Sequence, residues 1–92
     1  MTETLQEVRA AIESLDEQII GMIAQRVALA REAGHAKAAM GQSLIDPARE
    51  AAVVARASQM AREAGLPEDE IRALYWRLMA MSRKIQLDAV GS

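Results

Sequence analysis

Residues 8–37 carry a heptad pattern of apolar side chains, and this pattern constrains the fold more than any other feature of the chain. Apolar residues recur there at alternating gaps of four and three, at Val8, Ile12, Leu15, Ile19, Met22, Leu29 and Ala33. That spacing places them on one stripe of a single long helix, and such a stripe is normally buried against another helix. The chain is therefore predicted to be all-α.

Two cations interrupt the stripe. Arg26 stands between Met22 and Leu29, and Lys37 follows Ala33. An unpaired charge in an apolar seam is costly, so each cation needs an anionic partner. Lys37 lies within roughly 20° of Arg26 around the helix and about 16 Å along it, so the two side chains can bend together around one small anion. For Arg26 alone, an ion pair with a glutamate from another helix explains the residue equally well.

Capping signals divide the chain into one long helix and two shorter ones. Thr4-Leu5-Gln6-Glu7 is a capping box, Asp46-Pro47 is a favourable start for a second helix, and Gly65 is a stop signal. Pro67 and the acidic residues after it open a third helix. The predicted helices cover about residues 5–40, 47–64 and 68–88 of a single domain, residues 1–92.

The first helix is too long for the domain that contains it. About 35 helical residues extend over roughly 50 Å, whereas a compact domain of this size is roughly 30 Å across. The overhanging part of the apolar stripe needs a second chain to cover it. The sequence therefore predicts a homodimer.

Composition excludes several classes of function. A formal net charge of -2 argues against a nucleic-acid partner, because such proteins usually carry a clustered basic surface. The chain has no cysteine and one histidine, which predicts neither a thiol nucleophile nor a metal site. No signal peptide and no membrane-spanning apolar run is evident, so a cytoplasmic protein without a membrane partner is expected.

Four further polar residues are candidates for a binding site. Arg49 lies in the first turn of the second helix, where a cation opposes the helix dipole, and Glu50 follows it. Ser82 and Gln86 are four residues apart on one side of the third helix. Taken singly, each of these residues is more simply explained as a solvated surface side chain.

Together the polar positions resemble the all-helical class of chorismate mutases. The local strings that match are Val8-Arg9, Gln25-Arg26, Ala36-Lys37 and Asp46-Pro47-Ala48-Arg49-Glu50, and the resemblance extends from about Leu5 to Gln86. It covers eight polar residues: Arg9, Arg26, Lys37, Asp46, Arg49, Glu50, Ser82 and Gln86. The resemblance implies an intertwined helical homodimer, an isomerase that converts chorismate to prephenate in phenylalanine and tyrosine biosynthesis. With no second enzyme domain in the chain, it implies a free-standing mutase.

The resemblance also implies a role for each residue. Arg26 and Ser82 would hold the ring carboxylate, while Lys37 and Arg9 from the second chain would hold the carboxylate of the enolpyruvyl arm. Lys37 and Gln86 would flank the ether oxygen.

The ring hydroxyl would contact Glu50 and the backbone around Asp46, with Arg49 as a nearby support. Lys37, Gln86 and Arg26 are the predicted catalytic residues. The rearrangement is intramolecular and concerted, so no cofactor is expected.

Three alternatives remain at this point. Isochorismate pyruvate-lyase resembles the same class but has an apolar residue where Glu50 stands, so Glu50 and Ser82 favour the mutase. A mutase for an amino-substituted chorismate would change the contact to the ring hydroxyl. A non-catalytic helical dimerisation module would instead have Arg26 and Lys37 paired with carboxylates of the protein itself.

Overall fold

The structure, a computed structural model, describes residues 4–91, which form three helices and no strand. Helix α1 spans Leu5–Ala39, α2 spans Pro47–Glu63 and α3 spans Glu68–Gly91. The prediction of an all-α fold with one long helix and two shorter ones is confirmed. Helix α3 runs to Gly91, past the end near residue 88 that the sequence indicated. The prediction of one domain over residues 1–92 includes residues 1–3 and 92, which lie outside the described residues.

Helices α1 and α2 begin at the side-chain caps that the sequence indicated. Thr4 Oγ1 accepts a hydrogen bond from the backbone N–H of Glu7 at 3.1 Å, and Asp46 Oδ1 accepts one from the N–H of Arg49, also at 3.1 Å. Both bonds satisfy backbone donors that have no partner within the first turn of a helix.

Helices α1 and α2 both end in a Schellman motif. After α1, the N–H of Gln42 donates to the carbonyl of Lys37 at 2.8 Å, and the N–H of Leu66 makes the equivalent bond to Ala61 after α2. The turns pass through Gly41 and Gly65, whose φ angles of 69° and 73° lie in the left-handed region that favours glycine.

Helix α3 is the central element of the chain. Helices α1 and α2 each pack against α3, while no Cα atom of α1 comes within 8 Å of a Cα atom of α2. The side chains buried at these contacts are mostly small: Ala30, Val54, Ala57, Ser58, Ala61 and Met79. Helices α1 and α2 thus form the two walls of a cleft, and α3 forms its floor.

The α2–α3 corner is held by a hydrogen-bonded network around Ser58. Its hydroxyl donates to Glu68 Oε1 at 3.1 Å and accepts from the guanidinium of Arg72 at 2.9 Å. Arg62 pairs with the same glutamate at 3.0 Å. The hydrogen bond from Arg62, supported by the one from Ser58, lowers the pKa of the Glu68 carboxyl from its ordinary value.

The first half of α1 projects beyond the rest of the chain. The chain measures 58 × 26 × 15 Å with a radius of gyration of 16.7 Å, whereas a compact chain of this length has about 12 Å. Every residue from 4 to 22 is exposed, including the stripe residues Val8, Ile12, Leu15 and Ile19. The apolar stripe is therefore uncovered in a single chain. None of the described helices combines the length and the apolar character needed to cross a membrane.

Candidate active site

A pocket of about 410 Å³ occupies the cleft between α1 and α2, with α3 as its floor. Its apolar lining comes from Leu29, Ala30, Ala33, Leu44, Val53 and Met79. Its polar lining consists of eight residues: Arg26, Lys37, Asp46, Arg49, Glu50, Ser82, Arg83 and Gln86. The structure thus brings together seven of the eight residues predicted from the sequence. Their roles in binding and catalysis remain predictions.

Arg26 is half-buried and donates from Nη1 to the hydroxyl of Ser82 across the α1–α3 contact, at 2.7 Å. Within residues 4–91 it forms no ion pair with a carboxylate. The ion pair with a glutamate that the sequence left open is therefore not made within the part of the chain that the structure describes. A hydroxyl orients the guanidinium without neutralising it, so the charge of Arg26 remains available to a ligand.

Lys37, in the last turn of α1, has a comparable environment. Its Nζ donates to Gln86 Oε1 at 3.0 Å and lies 3.5 Å from the carbonyl of Leu44. Both acceptors are neutral, and no carboxylate in the described part of the chain pairs with Lys37. An ammonium group has three donors, so at least one of them is left for a ligand.

The bond from Lys37 also determines how Gln86 is oriented. Because an ammonium can only donate, the side-chain oxygen of Gln86 faces Lys37. The amide NH₂ group, a donor, is left to the pocket. Lys37 and Gln86 therefore present two donors side by side.

Asp46 and Arg49 lie at the rim, where α2 begins. The Asp46 carboxylate is occupied as the N-cap, accepting from the Arg49 N–H. The guanidinium of Arg49 is exposed and has no hydrogen-bond or ion-pair partner within residues 4–91. This rim contributes one further unpaired cation to the pocket.

Glu50 does not stand alone, and this is where the sequence analysis missed a residue. Arg83 on α3 donates from Nε to Glu50 Oε2 at 3.1 Å and from Nη2 to Oε1 at 2.5 Å. The hydrogen bonds and charge of Glu50 raise the pKa of Arg83 above its ordinary value. One sequence signal could have indicated Arg83: it lies three residues before Gln86, on the same helical face.

The charged residues of the pocket do not cancel. Four cations, Arg26, Lys37, Arg49 and Arg83, face two carboxylates, Asp46 and Glu50, which leaves a formal charge of +2. No group of three or more histidine, acidic or cysteine side chains within residues 4–91 is arranged to hold a metal ion. The arrangement is suited to a small organic anion with two negative charges.

Arg9, the eighth predicted residue, is outside the pocket of its own chain. It lies on the exposed first part of α1, 17 residues before Arg26, which corresponds to roughly 25 Å along the helix. Its predicted contact with the ligand requires a second chain.

Comparison with known proteins identifies the family. Residues 8–87 match the family described as chorismate mutase type II. The chain belongs to this family. The resemblance found from the polar residues of the sequence is thereby confirmed.

Relatives of this chorismate mutase type II chain fall into two size classes. It is 32% identical to the chorismate mutase of Methanocaldococcus jannaschii over 86 residues, covering 94% of this chain and 87% of that protein. It is also 32% identical to the T-protein of Enterobacter agglomerans over 82 residues and to that of Haemophilus influenzae over 80 residues. These matches cover 89% and 87% of this chain but only 22% and 21% of the T-proteins. The chain therefore spans about a fifth of the length of the T-proteins.

Proposed function

We propose that the protein is a chorismate mutase, an isomerase that rearranges chorismate to prephenate in phenylalanine and tyrosine biosynthesis. One observation carries the proposal. The two inner cations of a pocket with a formal charge of +2, Arg26 and Lys37, are bound only to neutral acceptors. Chorismate is a dianion, so its two carboxylates match the cations that the protein leaves unpaired. The family of the chain supports the same activity.

The first contribution of the pocket to the reaction is conformational. Arg26 with Ser82 would bind the ring carboxylate, and Lys37 with Arg9 of a second copy would bind the carboxylate of the enolpyruvyl arm. Holding both groups brings the carbons that form the new bond together. Restricting an intramolecular reaction to its reactive conformer removes part of the entropic barrier.

The second contribution is electrostatic. As the bond from the ring to the ether oxygen breaks, negative charge develops on that oxygen. Lys37 and the amide NH₂ of Gln86 are adjacent donors, held together by their own 3.0 Å hydrogen bond. Donors fixed in advance at the developing charge stabilise the transition state more than the ground state. We therefore assign Lys37, Gln86 and Arg26 as the catalytic residues.

A homodimer is part of the proposal. The exposed apolar stripe of α1 needs cover, and the buried core of a single chain is small and consists mainly of small side chains. An antiparallel partner helix would cover the stripe and bring Arg9 of each chain to the pocket of the other. Location in the cytoplasm stays a prediction.

Glu50 favours the mutase over an isochorismate pyruvate-lyase. Its carboxylate lines the pocket, where it can accept a hydrogen bond from the ring hydroxyl of chorismate. An isochorismate pyruvate-lyase would have an apolar residue at this position. A non-catalytic dimerisation module is disfavoured because Arg26 and Lys37 form no ion pair with a carboxylate among residues 4–91.

The test is to supply chorismate and isochorismate separately and to identify the products. We expect prephenate from chorismate and no release of pyruvate from isochorismate, with Lys37→Ala as the inactive control. Pyruvate release from isochorismate would instead identify a lyase. Conversion of neither compound by a folded, dimeric protein would contradict the proposal.

A further inference from the structure

The link between Arg83 and Glu50 joins α3 to α2 inside the pocket. Arg83 contacts both carboxylate oxygens of Glu50, through Nε and Nη2. The Glu50 side chain is only 15% exposed and that of Arg83 is 39% exposed. A planar guanidinium that contacts both oxygens of a carboxylate fixes the plane of the carboxylate as well as its position. Glu50 is therefore held in one orientation before any ligand arrives.

This geometry leaves Glu50 able to accept further hydrogen bonds. An ionised carboxylate has about four acceptor positions, and Arg83 occupies one on each oxygen. The remaining positions can accept from a ligand that presents a hydroxyl or another donor. A ligand group that can only accept would find no donor on Glu50.

Charge supplies a second reason for the link. An unpaired carboxylate in this pocket would repel a dianionic ligand, and repulsion is strong where solvent is limited. Arg83 offsets the charge of Glu50 and keeps the pocket at its formal +2. The link thus lets the Glu50 carboxylate recognise the ring substituent of a dianionic ligand without weakening the binding of that ligand.

Helices α2 and α3 are also linked outside the pocket. At the corner between them, Arg62 and Ser58 both bond to Glu68. The two ion pairs differ in exposure and in location: the Arg83–Glu50 pair is the less exposed of the two, and it alone of the two lines the ligand pocket.

We propose that Arg83 is a positioning residue, which orients and charge-balances Glu50 so that the site selects a dianion carrying a hydrogen-bond donor on its ring. This inference rests on the proposed chorismate mutase function and adds a residue to it. Arg83 acts through Glu50 and need not touch the reacting atoms.

The experiment is a double-mutant cycle on the intact protein, with kcat and KM for chorismate measured for Arg83→Met, Glu50→Gln and the double variant. Arg83→Met should raise KM about tenfold, with a smaller change in kcat, because it leaves Glu50 charged and unoriented. Arg83→Lys should recover part of the loss. In the Glu50→Gln background, Arg83→Met should change KM less than about twofold, since the neutral amide neither repels the dianion nor needs a counter-charge.

Lys84→Met is the matched control, because it also removes a cation from α3, at the residue next to Arg83. Lys84 pairs with Asp88, which is exposed, and both residues lie outside the pocket. Lys84→Met should leave KM unchanged. Equal effects of Arg83→Met in both backgrounds, or an effect no larger than that of Lys84→Met, would overturn the role of Arg83. If Arg83→Met does not fold by circular dichroism, Arg83→Lys and Arg83→Gln complete the same cycle. If the parent protein is active on chorismate but the effects of the two substitutions are additive, only this inference is refuted. If the parent protein is inactive, the proposed function is refuted and this inference with it.

Discussion

A methyl group on Gly34 of α1 would lie 3.2 Å from both Cα and Cβ of Gln86 on α3. Such contacts are tighter than normal van der Waals packing, and one of the two atoms belongs to the backbone of α3. Gly34 is buried and stands one helical turn before Lys37, the partner of Gln86. The absence of a side chain at residue 34 therefore allows α3 to approach α1 closely at Gln86, the residue to which Lys37 donates.

Gly34→Ala should lower activity far more than stability. Alanine gains about 1 kcal/mol in helix propensity over glycine, which offsets part of the cost of moving α3 outward. We expect kcat to fall about tenfold, since small displacements of catalytic donors have large effects on rate. Gly21→Ala is the control, because its Cβ would have no neighbour within 4 Å. Unchanged kcat in Gly34→Ala would show that Gln86 tolerates the shift.

Removing either inner cation should abolish activity without harming the fold. Arg26→Ala and Lys37→Ala each delete a charge that the unliganded protein holds against neutral acceptors only. We expect kcat/KM to fall at least about a hundredfold, while the melting temperature stays equal or rises. Arg31→Ala, on the exposed side of α1, serves as the control for a lost cation. A marked fall in melting temperature would make the residue structural.

Gln86→Glu should convert a pH-independent donor into a pH-dependent one. A glutamic acid can donate to the ether oxygen only while protonated, and once ionised it repels the charge that develops there. The variant should be active in acid and should lose kcat as pH rises through the pKa of the new carboxyl. The parent provides the reference profile between the same limits. A flat profile for the variant would remove Gln86 from the ether oxygen.

Acid should destabilise the protein through Glu68. Its pKa in the folded chain is lowered from an ordinary value of about 4.5, first by the hydrogen bond from Arg62. The stabilisation from this group is therefore complete above pH 4.5 and is lost as pH falls through the lowered pKa. Thermal unfolding followed between pH 7 and pH 3 should show a smaller acid-induced loss in Glu68→Gln than in the parent. Parallel curves for the two proteins would contradict the assignment.

Arg9 allows a test of the shared site. Arg9→Ala and Lys37→Ala chains should each be nearly inactive alone. Refolded together at equal concentration, half of the dimers are mixed, and each mixed dimer has one intact site of two, so about a quarter of parental activity should return. If mixed dimers form, as tagged chains can show, and the mixture remains inactive, Arg9 does not act across an interface.

The sequence predicted the helices well because the signals that define them are local. The Thr4 cap, the Asp46-Pro47 start and the stop at Gly65 each involve residues within one turn of the boundary. The apolar pattern of α1 continues past Gly34 and correctly predicted an unbroken helix there. The role of Gly34 could not be predicted, because it depends on the crossing of α1 and α3.

The site was predicted less evenly. Spacing alone predicted that Arg26 and Lys37 share one face of α1. The site residues of α2 and α3 were predicted only through the resemblance to a family. The pairing of Arg83 with Glu50 could not be predicted, because Glu50 lies 33 residues away on another helix. Pairing of this kind depends on how two helices pack, and no local spacing encodes it.

The separation of α1 from α2 would give a bound ligand a structural role in the protein. Arg26 and Lys37 belong to one wall of the cleft and Arg49 and Glu50 to the other, and the Cα atoms of these two helices stay more than 8 Å apart. A bound dianion that reaches both walls would link α1 to α2 directly, in addition to the packing of each helix on α3. Binding of the proposed substrate would then tighten the molecule, and release of the product would loosen it.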